Sequence, residues 1–274
     1  MMNFCCVYYG TKYSLDYVQV LYNMVKRHLT IPHKFICFSD HVKPQKILKG
    51  DIEFRKFRDS SYDGWWNKMQ LFREESELKG PCLYMDLDVV PNTTENFFET
   101  FDMNKICVYA PNANIDSWSQ SDRKNYKKGK VDFETIISHK DKYNEYVKAV
   151  CKRAMLATDN KFDTDYLIAN TAILGGNSSA ISKLRYTERL DEMSYTLKKA
   201  KEEQFFGETI SKLFFANNEI FVHYLLDKDN IDWYNLPKEW HTYLMKNDKI
   251  TSDLKSVKMI HLINKRFEEL WNVI

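Results

Sequence analysis

The sequence predicts an α/β domain built on a largely parallel sheet, and three observations predict it. Short apolar segments alternate with helical patterns through residues 3–90, the rhythm of strands joined by crossover helices. The chain of 274 residues is long enough for one large core and shows no repeats or linker-like composition. Its most apolar segment, LYMDLDVV at 83–90, carries two aspartates one residue apart, and a parallel sheet binds ligands at the C-terminal ends of its strands.

Taken in order, NFCCVYY at 3–9 reads as a buried strand. In the helix predicted over 14–29, Leu15, Val18, Leu21, Val25 and Leu29 recur at helical spacing. Ser14 can cap its start, and Lys26, Arg27 and His28 complement its C-terminal dipole. Pro32 stops it. Strands follow at 33–40 and 52–57, then a helix at 66–78 that leads through Gly80 and Pro81 into a strand over 82–90. A short helix is expected around 96–101 and a strand over 105–111. Residues 112–135 are polar, rich in lysine and without periodicity, and read as a loop that orders over a ligand. Helical patterns at 140–157, 178–200 and 203–215 are interrupted by a strand at 166–176. A strand at 258–263 with one histidine precedes a charged tail.

Composition excludes several classes. A formal net charge of +2 gives no global field for nucleic acid or an anionic membrane. No stretch approaches the ~18 apolar residues of a membrane span, and the N-terminus lacks the basic region of a signal peptide. Cys5, Cys6, Cys37, Cys82, Cys107 and Cys151 form no CxxC pair. They read as small buried hydrophobes of a reducing compartment rather than zinc ligands or a disulfide framework. The expectation is a soluble cytoplasmic protein. Aromatic residues make up 15% of the chain and serve either as core rim or as stacking surface.

The chemistry centres on the acid pair. Aspartate is a poor strand former, and an unpaired buried carboxylate is costly. On a strand, Asp86 and Asp88 project from one face with Leu87 on the other. Such a pair suits Mg²⁺ or Mn²⁺ bridging to substrate phosphates; the alternative is a salt-bridged acidic strand end. Elsewhere, Gly10 permits close backbone approach after the first strand, or a plain turn. Lys68, expected in a first helical turn, opposes the helix dipole unless it faces an anion. Trp65 and Trp66 before it can wall a sugar site. Asn170 and His261 lie in apolar strands, where each is either a ligand group or a satisfied structural residue.

Three segments, CVYYGTKYSLDYVQVLYNMVKRHLTIPHKFICFSD, GWWNKMQLF and LYMDLDVV, resemble the nucleotide-sugar-dependent glycosyltransferases of the GT-A fold. The resemblance is to a bacterial and viral group with a G-W-W-x-K…L-D-L-D-V pattern, distantly similar to glycogenin. It is dense over 5–92, patchy beyond, and resumes at 258–268. It implies a metal-dependent enzyme that moves a sugar from a nucleoside diphosphate sugar, UDP being the commonest donor nucleotide of this fold, to a glycan or glycoconjugate acceptor. Residues 1–92 would form the nucleotide-binding part of a single domain, and 93–274 the acceptor-binding part with the C-terminal metal and phosphate strand.

In this resemblance Asp86 meets ribose or metal and Asp88 the metal. Tyr9, Gly10, Thr11 and Tyr13 hold base and ribose, and Lys68 faces the diphosphate. The C-terminal HLINK matches an H-x-x-x-K pattern in which His261 completes the metal site and Lys265 holds phosphate. Glu268 follows as in that group. Leu262, Asn264 and Arg266 depart from its usual glycine and prolines. Asn170 stands in the strand that faces donor and acceptor, and Glu203–Gln204 replaces a usual Asp–Gln at a helix start. An imidazole ligand favours Mn²⁺ over Mg²⁺.

Two other readings compete. A haloacid-dehalogenase-type phosphatase also uses an apolar strand ending in DxD, the first aspartate as nucleophile, but places it near the N-terminus. A sugar-binding module with a decayed site would lack some of Asp86, Asp88, Lys68 and His261, and all four are present.

Overall fold

A computed structural model describes residues 1–41, 48–58, 64–72, 77–109, 170–184, 222, 226, 231–244 and 256–262. The expected loop at 112–135, the helical patterns at 140–157 and 203–215, Cys151, Glu203, Gln204 and Lys265 lie outside these residues, as do the side chains of Trp65 and Trp66.

The chain opens with β1 (Met2–Tyr8), α1 (Leu15–His28), β2 (His33–Ser39) and β3 (Ile52–Lys56), close to the predicted elements. Tyr17, Val18, Leu21, Tyr22, Met24 and Val25 form the buried face of α1. Ser14 takes the N-cap position, but its hydroxyl bonds the Asp16 carboxylate at 3.2 Å instead of a backbone amide.

β4 (Pro81–Met85), β5 (Val89–Pro91), α2 (Phe97–Thr100) and β6 (Ile106–Tyr109) follow. Asn96 caps α2, its side chain accepting from the Phe98 amide. Beyond lie β7 (Asn170–Asn177), β8 (Trp233–Asn235), β9 (Thr242–Leu244) and β10 (Met259–Leu262).

Among the described residues the large sheet has seven strands in the order β3-β2-β1-β4-β7-β6-β8. Pairings from β3 to β4 are parallel, β7 is antiparallel to both neighbours, and β8 runs parallel to β6. A second sheet, β5-β10-β9, lies beside it. On one face of the large sheet, Val18 and Leu21 of α1 pack with Phe4, Met85, Trp240 and Ile260. On the other, Met69 and Leu71 pack with Ile36, Tyr84, Leu174 and Ile181. No helix among the described residues is long and apolar enough to cross a membrane.

Two predicted elements differ. The helix expected over 66–78 is a 3₁₀ segment, Gly64–Phe72, and the described backbone from Glu77 on is not helical. Asn67, Lys68, Met69, Gln70 and Leu71 are all buried, so no solvent face imposes a 3.6-residue period. Lys68 therefore sits well inside the segment rather than in a first turn. The strand expected over 82–90 breaks at Asp86, where the Val89 amide donates to the Asp86 carbonyl at 3.1 Å and closes a turn. The chain changes sheets here, from β4 to β5, and Leu87 anchors the turn in the core.

A Cβ on Gly175 of β7 would lie 2.5 Å from the Phe97 ring; only glycine lets α2 press that ring onto the sheet. Gly175→Ala is expected to lose about 1–3 kcal/mol by overpacking, read as a lowered melting temperature at unchanged secondary-structure content. An unaltered midpoint would contradict this packing.

Cys5, Cys6, Cys37, Cys82 and Cys107 are buried and free. Burial pushes the Cys82 thiol up to about 11 and the Cys107 thiol up to about 12. A thiol reagent is therefore expected to modify at most one of the six cysteines in the native protein and all of them in denaturant. Rapid native labelling of two or more would contradict the core described here.

Candidate functional site

The C-terminal ends of β1, β2 and β4 share one edge of the parallel sheet. After β1, Gly10 adopts a left-handed φ of 61°, which glycine tolerates at no steric cost. Its amide donates to Asp40 Oδ2 at 3.3 Å, and His41 Nε2 donates to its carbonyl at 3.1 Å. Asp40 and His41 thus join the predicted group; in the sequence Asp40 reads only as the end of a strand, and no signal marks His41. Tyr9 packs edge-on against Phe57, and Thr11 is exposed. Tyr13 is not presented as a bare stacking surface. Its hydroxyl donates to Asp88 Oδ2 at 2.7 Å, and the Lys12 ammonium lies 4.7 Å above its ring centre.

The turn after β4 carries the acid pair. The Asp86 amide donates to the Ala172 carbonyl at 2.8 Å, which ties the turn to β7. Lys68 Nζ reaches both Asp86 oxygens, at 2.9 and 3.1 Å, and Thr171 Oγ1 and carbonyl at 3.3 and 3.4 Å. Tyr84 also donates to Asp86 Oδ1. Burial alone would raise the Asp86 pKa; the Lys68 ammonium, the Tyr84 hydroxyl and nearby His261 outweigh it and hold the carboxyl below its ordinary value.

β10 supplies the third group. Its antiparallel register sets His261 opposite Val89, and the Leu262 amide donates to the Asp88 carbonyl at 2.8 Å. His261 Nε2 stands 3.6 Å from Asp88 Oδ1. Ligand atoms of Asp86, Asp88 and His261 all lie within 4.8 Å of one another. A turn, and not the shared strand face that the sequence predicts, brings the two carboxylates together.

The cluster sets two carboxylates beside the buried Lys68 ammonium, with the Lys12 ammonium over the Tyr13 ring, and burial lowers the pKa of both His261 and its neighbour His241. Two carboxylates and an imidazole fit a divalent ion such as Mn²⁺ or Mg²⁺. His241 is fully buried; its Nε2 lies 3.1 Å from His261 Nδ1, and no sequence signal marked it. Asn170 begins β7 and accepts the Ala172 amide at 2.9 Å. The structure thus gathers Asp86, Asp88, His261, Lys68 and Tyr13 in one cluster, with Gly10 at a neighbouring strand end.

The sequence matches no protein-family model and no curated protein. Among solved structures, the chain is similar to the galactosyltransferase LgtC in complex with donor and acceptor sugar analogues. The TM-score is 0.52 at 11% identity, over 99% of this chain and 96% of that one. A structure of an LgtC active-site mutant is similar at a TM-score of 0.51 and 10% identity, over 95% and 87%. Identity this low speaks to fold alone, and the chain has the GT-A fold.

Proposed function

We propose that the protein is a metal-dependent glycosyltransferase. It moves a sugar from a nucleoside diphosphate sugar, UDP being the favoured nucleotide, to a glycan or glycoconjugate acceptor. The observation that carries this reading is the convergence of Asp86, Asp88 and His261 at the C-terminal end of β4, in a fold that this chain shares with a galactosyltransferase. Residues 1–92 serve the nucleotide and 93–274 the acceptor, within one domain.

Asp86, Asp88 and His261 would hold a divalent ion, which would supply Lewis-acid neutralisation of a departing nucleoside diphosphate. Lys68, gripped by Asp86 and Thr171, fixes the carboxylate and adds its charge beside the diphosphate. Tyr13 orients Asp88 through its hydroxyl, and Tyr9, Gly10 and Thr11 take base and ribose at the end of β1. Asn170 would offer its amide nitrogen to donor or acceptor, and Trp65 and Trp66 the sugar wall. Lys265 would hold phosphate, and Glu203 and Gln204 would be catalytic, as the sequence resemblance implies. Five buried free cysteines support a reducing, cytoplasmic setting.

The test is slow hydrolysis of a panel of nucleotide sugars with Mn²⁺ or Mg²⁺ present. Cleavage of at least one donor, abolished by chelator, is expected. Turnover of a generic phosphomonoester with no donor cleaved would favour the phosphatase reading instead.

A further inference from the structure

His261 uses one ring nitrogen on each side. Its Nε2 faces the Asp88 carboxylate at 3.6 Å, and its Nδ1 meets His241 Nε2 at 3.1 Å. Only one hydrogen fits between those two rings, so one donates and the other accepts. If His241 donates, His261 carries its own hydrogen on Nε2, pointing at Asp88, and no lone pair remains there for a cation. If His261 donates from Nδ1, its Nε2 lone pair is bare and aimed at the carboxylates. The second arrangement is the one a metal ligand requires, with its other nitrogen held by a neighbour.

His241 is placed to serve as the acceptor in that arrangement. Its amide donates to the Lys238 carbonyl at 3.0 Å, closing the 3₁₀ turn Lys238–Trp240, and it directly precedes β9. β9 runs parallel to β10 with Thr242 opposite Ile260 and Tyr243 opposite His261. The two histidines are thereby fixed by backbone pairing, not by side-chain chance. The His241 ring packs on the Tyr109 ring with centres 4.8 Å apart and is fully buried, so it has little freedom to turn away.

We infer that His241 is a positioning residue of the metal site: with a divalent ion bound, it accepts the Nδ1 hydrogen of His261 and holds His261 Nε2 towards Asp86 and Asp88. The inference rests on the metal site proposed above and adds a residue that never touches the ion. His241→Leu removes the acceptor; His241→Gln can restore one at a similar reach.

Two readouts test it. In protein loaded with diamagnetic Cd²⁺, nitrogen-15 NMR of the parent should place the His261 hydrogen on Nδ1. In a Mn²⁺ titration followed by electron paramagnetic resonance, His241→Leu should weaken binding by about 10–100-fold, the usual cost of losing such a partner. His241→Gln should recover most of the loss, which a purely structural role would not produce. A parent that binds the ion with the hydrogen on Nε2 overturns the inference and leaves the metal site standing. Parent-like affinity in a folded His241→Leu does the same. A parent that binds no divalent ion overturns the site reading and this inference with it. Should His241→Leu not fold, the parent tautomer and the His241→Gln affinity still decide.

Discussion

Asp88→Asn is expected to abolish metal-dependent donor binding while leaving the metal-free fold intact. Asparagine keeps the size of the side chain and can still accept from Tyr13, which donates to Asp88 at 2.7 Å. What it loses is the carboxylate charge without an ammonium of its own: Lys68 bonds Asp86, not Asp88. Loss of a direct ligand should exceed the roughly 10–100-fold cost of losing an outer partner. Without metal, the melting midpoint should be unchanged or slightly higher, because two like charges no longer share the cluster. A structural anchor would behave in the opposite way, losing about 3–5 kcal/mol with or without metal. A large metal-free drop would therefore sink the metal-site assignment.

Lys68→Met should do the reverse. Lys68 is buried, and its ammonium is the cation against a carboxylate that is itself only 24% exposed. Removing one partner of such a pair costs about 3–5 kcal/mol at neutral pH. The pH dependence follows from the direction of the Asp86 shift. In the parent its folded pKa is depressed, because Lys68, Tyr84 and His261 outweigh burial. That stabilisation is present above the unfolded carboxylate pKa and is lost as pH falls through the lower folded value. In Lys68→Met burial dominates and the folded pKa rises. The penalty should then grow as pH rises above the unfolded value and shrink at acid pH, where Asp86 is neutral in both states. A divalent ion should restore more stability to this variant than to the parent, since it replaces the missing cation. Denaturant titrations between acid and neutral pH, with and without Mn²⁺, measure both effects. A penalty independent of pH would contradict the pairing.

Much of the architecture was legible because local pattern and tertiary role agree. The helical spacing of Val18, Leu21 and Val25 marks a face that is buried, and Cys5 and Cys6 sit in a strand that has neighbours on both sides. The acid pair was legible as a violation, since nothing in a strand's own physics puts Asp86 and Asp88 there. What stayed hidden depends on distant pairing. The turn at Asp86 exists because β5 joins β10 rather than the large sheet, and no local residue announces that change. β8 and β9 have three residues each, too few to show a period. The sequence places Lys68 in a first helical turn facing an anion, and its pairing stays hidden because Asp86 and Thr171 come from other strands. His241 was invisible for the same reason: its meaning lies in the register of β9 against β10.

The most direct test of the central claim is calorimetric titration of UDP into the protein in three buffers: with Mn²⁺, with Mg²⁺ and with chelator. The account predicts binding with either ion, tighter with Mn²⁺ because His261 contributes an imidazole, and none detectable with chelator. UDP binding of equal strength in chelator would contradict it, because Asp86, Asp88 and His261 would then have no ion to share with the diphosphate.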